Sequence, residues 1–109
     1  MILAKARLIN DGNGRVRVSL SFPTGFDPEE VVGDSVRANG EIVPEAIHID
    51  PRKGKLGDIY REFEVYFPSR AISGAAENDG TLWITGRFRR GVPFKASVPI
   101  VSPHSGSDH

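Results

Sequence analysis

The 109-residue chain has no cysteine, one tryptophan, one methionine and two tyrosines. Without cysteine it can form no disulfide, offer no thiolate nucleophile and build no thiolate metal centre. It also lacks an excess of either charge: 14 Lys and Arg stand against 14 Asp and Glu. That balance gives no global pull toward nucleic acid or an anionic membrane. No apolar run approaches the roughly 20 residues that a helix needs to span a bilayer, so membrane insertion is not expected. The opening MILAKARLI is too short and too alternating for a signal peptide. A secreted parent would be represented here by a mature segment. Sequons, repeats and low-complexity tracts are missing, as are a G-x-S-x-G elbow and a Ser–His–Asp order on suitable elements. Of the histidines, only His48 lies within the patterned part of the chain, as a structural or solvent-facing residue; His104 and His109 fall in a polar tail. They do not make a metal site, and no cofactor is expected.

Turn formers are plentiful, with 12 Gly and 8 Pro. They suit many short strands joined by tight turns. The stretch Gly80–Val101 reads as a β-hairpin. Leu82, Ile84 and Phe88 alternate on its first arm, with Gly86 in the same series; Val92, Phe94, Ala96, Val98 and Ile100 alternate on the second. The two sets face one way only if Phe88 lies opposite Val92. A three-residue loop Arg89-Arg90-Gly91 remains, with Gly91 where a positive φ is needed. Gly86 then falls opposite Phe94, whose ring can cover the missing side chain.

Ile2–Ile9 reads as a first strand, with Ile2, Ala4, Ala6 and Leu8 on one face. Asn10–Gly14 is the densest turn cluster. Arg15–Phe22 follows, with Val16, Val18, Leu20 and Phe22 inward and Arg15, Arg17, Ser19 and Ser21 outward. Asp27–Val32 has the marks of one helical turn: Asp27 as cap, Pro28 at the first position, Glu30 at capping-box spacing, and Phe26 and Val31 as a staple. Ser35–Asn39 is a short strand ended by Gly40. Glu41–Ile49 is extended, and Pro44 confines it to an edge or bulge. Asp50–Asp58 is a polar loop. Ile59–Phe67 is a strand with Phe63, Val65 and Phe67 inward and Glu62, Glu64 and Tyr66 outward. Pro68–Ala75 is a second helical turn, and Asn78-Asp79-Gly80 turns into the hairpin. One domain over residues 1–101 is expected, followed by a linker or frayed tail, Ser102–His109.

About seven short strands with one or two helical turns favour an antiparallel immunoglobulin-like β-sandwich. The missing Cys…Trp…Cys pattern rules out an antibody-type domain. An OB-like barrel is the alternative, although its central helix has no counterpart here.

The order of motifs resembles that of immunoglobulin-like modules in secreted and surface proteins of bacteria and archaea, often found near dockerin or thrombospondin-type calcium repeats. The residues that carry the resemblance are Gly14-Arg15-Val16-Arg17-Val18, Phe26-Asp27 with Val31, Ser35-Val36-Arg37 with Gly40, and Val65-Tyr66-Phe67. In the hairpin they are Leu82, Ile84, Gly86, Gly91, Pro93 and Phe94, with Arg90 where aspartate is common. The resemblance implies an extracellular or cell-surface location and a role as spacer, stabiliser or adhesive unit. It brings no shared catalytic residues. Many relatives have an acidic, calcium-style middle loop; here Arg52, Lys53 and Lys55 enter it, and two carboxylates remain. A hard cation wants six to eight oxygens and net negative charge, so calcium binding is not carried over.

Two groups of residues invite chemistry. Glu62 and Glu64 share a strand face about 7 Å apart, a separation a glycosidase pair can have. The structural reading is a solvated sheet face on which they meet cross-strand arginines. No catalytic residue is assigned. The second group is Trp83, Arg87, Arg89 and Lys95, of one outward parity, with Arg90 at the hairpin tip. A tryptophan among cations can stack a sugar ring or a base, or grip an anionic glycan. Its structural counterpart is a tryptophan packed under a loop, with arginines keeping an edge soluble. The expected function is a non-catalytic structural or interaction module, partnered by neighbouring domains or another protein. The alternatives are a carbohydrate-binding accessory module that uses Trp83, Arg87, Arg89, Arg90 and Lys95, and an OB-type binder of single-stranded nucleic acid. Neutral net charge disfavours the last.

Overall fold

A computed structural model describes residues 1–10, 14–53, 59–73 and 80–100. The chain forms eight strands among these residues: β1 Ile2–Leu3, β2 Lys5–Asn10, β3 Arg15–Ser21, β4 Arg37–Ala38, β5 Ala46–Lys53, β6 Ile59–Pro68, β7 Thr81–Arg87 and β8 Pro93–Pro99. They make two four-stranded sheets. Sheet A has the order β1-β8-β7-β4, and sheet B the order β2-β3-β6-β5. Every pairing of these strands is antiparallel except β1 with β8. The chain is all-β, in two sheets rather than the single five-stranded barrel held as the alternative.

Period-two alternation puts one face of each sheet into a common core. Val16, Val18 and Leu20 of β3 and Phe63, Val65 and Phe67 of β6 meet Leu82 and Ile84 of β7 and Phe94, Ala96 and Val98 of β8. Phe22 bridges the sheets at one end. Its ring stands edge-on to Phe63, Phe88 and Phe94, with centroids 6.0, 5.1 and 5.0 Å away. Each fully buried Phe contributes roughly 1.5–3 kcal/mol through removal from water.

The hairpin has the register that turn chemistry predicts. Phe88 N donates to Val92 O at 2.8 Å, Gly91 N donates to Phe88 O at 2.8 Å, and Gly91 has φ 86°. Gly86 pairs with Phe94. A Cβ there would lie 2.6 Å from Cζ of the Phe94 ring, so glycine at this position is a packing requirement.

Three segments depart from expectation, and one expected helical turn takes the 3-10 form. The first strand is divided: Ile2–Leu3 joins sheet A and Lys5–Asn10 joins sheet B. Alternation continues through the crossing, so periodicity alone does not reveal it. Asp27–Val32 forms a 3-10 turn over Pro28–Glu30, and the Asp27 carboxylate accepts from Glu29 N at 2.9 Å. The Glu30 carboxylate faces Arg90. The Ser35–Asn39 strand is reduced to Arg37–Ala38, after a second 3-10 turn, Gly33–Ser35. Asp50–Lys53, read as part of a loop, continues β5 and pairs with β6 as far as Lys53↔Ile59. Pro51 is tolerated because β5 is an edge strand, where a missing N–H need not break a ladder. A helical turn covers 69–73, and its Ile72 enters the core. The rest of the Asp50–Asp58 loop, Gly74 and Ala75, the Asn78-Asp79 turn and the tail with His104 and His109 lie outside the described residues.

Candidate ligand-binding face

The outer face of sheet B carries the two glutamates. They do not sit on a solvated face as expected: Glu62 is 6 % exposed and Glu64 2 %. β6 lies between β3 and β5, so its outward side chains are flanked on both sides. Arg17 reaches diagonally to the Glu64 carboxylate at 3.5 Å, and the Tyr66 hydroxyl donates to it at 3.4 Å. The Ser19 hydroxyl donates to Glu62, which also meets Arg7 at 3.3 Å. Arg15 stacks over the Tyr66 ring, 4.7 Å from its centroid. Long cationic side chains thus fold over the carboxylates and remove them from water. Glu62 borders a cleft of about 190 Å3 with Lys5, Arg7, Ser19 and Ser21; Glu64 is not among its walls. The pair therefore does not face one substrate space. His48, opposite Glu64 on β5, is exposed.

The hairpin tip and the Pro23–Glu30 segment enclose an open cleft of about 730 Å3, with Phe22, Phe26, Asp27, Glu30, Arg61 and Arg90 among its walls. Its charges are matched. Arg61 meets Asp27 at 3.6 Å and also pairs with Glu29; Arg90 meets Glu30 at 3.8 Å and lies 5.4 Å from the Phe26 ring centroid. These surface pairs contribute roughly 0–1 kcal/mol each. Their consequence here is directional: Arg90 turns toward this end of the molecule, away from the Trp83 group.

The outer face of sheet A is built differently. Its four strands contain no Asp and no Glu. Trp83, Thr85 and Arg87 of β7 alternate outward beside Lys95 and Ser97 of β8. Trp83 is 39 % exposed, not packed under a loop. The Lys95 ammonium lies over its ring, 5.2 Å from the centroid. Arg87 and Arg89 are exposed, and among the described residues neither they nor Lys95 has a carboxylate partner. Trp83, Lys95 and Arg87 are thus brought onto one face. Arg89 sits in the turn, its N–H donating to Glu30 O at 2.7 Å.

Sequence reasoning missed three contributors on the far side of β7. Arg37 of β4 pairs with Thr85, which adds a cation to the same face; its guanidinium donates to the carbonyls of Asp34 and Val36 at 2.8 and 2.7 Å. Asn39, at φ 50°, takes over where β4 stops. Its Oδ1 accepts from Trp83 N at 2.9 Å, and its N–H donates to Trp83 O at 2.7 Å. Ser35 Oγ accepts from Arg87 N at 3.0 Å and donates to Val32 O at 2.6 Å. Two short polar side chains thus complete the ladder of a two-residue edge strand and hold the Trp83 and Arg87 backbone in place. The Asn39-Gly40 pair was the available signal, since it marks the turn that brings Asn39 back to β7.

A scan of protein-family models, a search of curated proteins and a search of solved structures each gave no match to this chain. The functional reading therefore rests on the geometry of these faces.

Proposed function

We propose that this chain is a non-catalytic interaction module with an immunoglobulin-like sandwich fold, and that the outer face of sheet A is its contact surface. The strand orders support the fold reading. Taken in chain order with β1 and β2 as one divided strand, sheet B corresponds to strands A-B-E-D and sheet A to C-F-G with the first half of A added. The observation that carries the function is the exposed Trp83 among cations that no carboxylate of the described residues neutralises. Among the described residues, Arg7, Arg17, Arg61 and Arg90 by contrast each meet a carboxylate. A half-exposed aromatic beside unneutralised charge is the composition of a contact surface. As a module of a larger surface or secreted protein, the chain would present this face to an acidic partner.

Trp83 is the single tryptophan, so its emission reports on this face alone. The ratio of iodide to caesium quenching should exceed that of free N-acetyltryptophanamide at equal ionic strength, because the local potential is positive. A ratio equal to or below that of the free indole would remove the basis of the reading. A panel of acidic macromolecules should contain at least one that shifts the emission, and a panel without effect would refute the contact surface.

A further inference from the structure

Resting on that reading, we infer that the outer face of sheet A binds an acidic polysaccharide: one pyranose lies against the Trp83 ring with its anionic group on Lys95, and further anions of the chain reach Arg87 and Arg37. The arrangement of Lys95 is the first reason. Its ammonium already lies over the indole, 5.2 Å from the centroid. A neutral sugar stacking on the ring would have to displace this cation and forfeit its attraction to the ring. A sugar bearing a carboxylate or sulfate can keep Lys95 near the ring as its counter-ion while its C–H face touches the indole. One residue of the ligand thus satisfies both groups.

The spacing is the second reason. Lys95 and Arg37 are both in register with Thr85, on opposite sides of β7. Their strands lie two spacings apart, roughly 10 Å, and Arg87 is roughly 7 Å along the strand from Thr85. Cations at such intervals around one aromatic platform match anions that recur along a stiff chain, and guanidinium groups suit planar, multidentate anion contacts.

The edges of sheet A are the third reason. A peptide that binds by strand addition draws its affinity from main-chain hydrogen bonds to a free edge, and an acidic peptide without that edge has only scattered cations to grip. The edge strands here are Ile2–Leu3 and Arg37–Ala38, two residues each. The second is further closed by the bridge Ala38↔Ile42 and by Asn39 on Trp83. Beyond β1, the open edge of β8 is limited to Ala96–Pro99, and Pro99 has no N–H to offer, so neither edge gives a long template for a strand. Single-stranded nucleic acid is recognised by several successive aromatic platforms in a basic groove. Trp83 is the one aromatic in the strands of sheet A whose ring faces outward, since Phe94 is buried.

The test is a titration of Trp83 emission in the whole chain at low ionic strength. The probes are polygalacturonate, dextran sulfate, unmodified dextran, poly-L-glutamate and single-stranded DNA. Both acidic polysaccharides should shift the emission, and their binding should weaken as salt is raised. Uncharged dextran should leave the emission unchanged. In Lys95→Ala, affinity for polygalacturonate should fall about tenfold or more. In Trp83→Ala, followed by calorimetry, it should fall at least as far, with partial recovery in Trp83→Phe. Arg61→Ala, in the cleft at the hairpin-tip end, should bind as the parent chain does. The inference is overturned, with the contact-surface reading left standing, if polyglutamate or DNA binds as tightly as the polysaccharides, or if dextran binds equally well. If no probe shifts the emission, both fall.

Discussion

The outer faces of the two sheets both carry cations but treat them differently. On sheet B, glutamates and arginines are matched, and the carboxylates are buried beneath the cations that pair with them. On sheet A, cations surround a half-exposed tryptophan and no strand supplies an acid. A charge neutralised within its own face is committed to the fold, because removing it strands its partner. A charge left without a partner has coordination to spare for a ligand. The two faces thus differ in how their charges are paired, and the proposed division of roles rests on that difference.

The sharpest way to break the comparison is Glu64→Ala. It leaves Arg17 largely buried without its carboxylate and deprives the Tyr66 hydroxyl of its acceptor. A loss of roughly 3 kcal/mol in unfolding free energy is expected from urea melts. A change under about 1 kcal/mol would mean that sheet B's face is as dispensable as an ordinary surface. Next in size is Gly91→Val, in the turn that carries the hairpin of sheet A. The valine would have to adopt φ near 86°, at a cost of about 1–2 kcal/mol. An unchanged melting temperature would show that this turn adopts another conformation.

Smaller effects sharpen the contrast between the faces. Arg7→Ala removes an exposed cation from Glu62, which keeps the Ser19 hydroxyl. About 1 kcal/mol or less should be lost, and the loss should shrink at high salt. The smallest effect belongs to Arg87→Ala on sheet A, which should alter stability by no more than about 0.5 kcal/mol while weakening binding of an acidic ligand. If Arg87→Ala destabilised the domain as much as Glu64→Ala, the division between a structural face and a binding face would collapse.

Much of the fold was legible in the residues. The hairpin register followed from Phe88, Val92 and Gly91, because a three-residue turn and a buried face admit only one alignment. The inward sets of β3 and β6 were readable from period-two alternation, and the Asp27-Pro28 cap from its own side-chain chemistry. The candidate face was partly legible. Trp83, Arg87 and Lys95 share a parity that the hairpin register makes a neighbourhood. Arg90 shows where that reasoning stops, since a turn residue has no fixed parity and follows its local partners, here Phe26 and Glu30.

The sequence by itself determined which residues face inward, where the hairpin turns, and that no thiol or disulfide takes part. Those properties depend on neighbours a few residues apart, on φ preferences and on composition. Only the tertiary structure decided that Ile2–Leu3 and Lys5–Asn10 belong to different sheets, that Glu62 and Glu64 are buried, and that Arg37, Asn39 and Ser35 complete the Trp83 face. Each of these depends in part on strands that come together from distant parts of the chain, as Ile2 with Phe94, Ser19 with Glu64 and Arg37 with Thr85. Alternation says that a side chain points outward, but it carries no information about what comes to lie beside it.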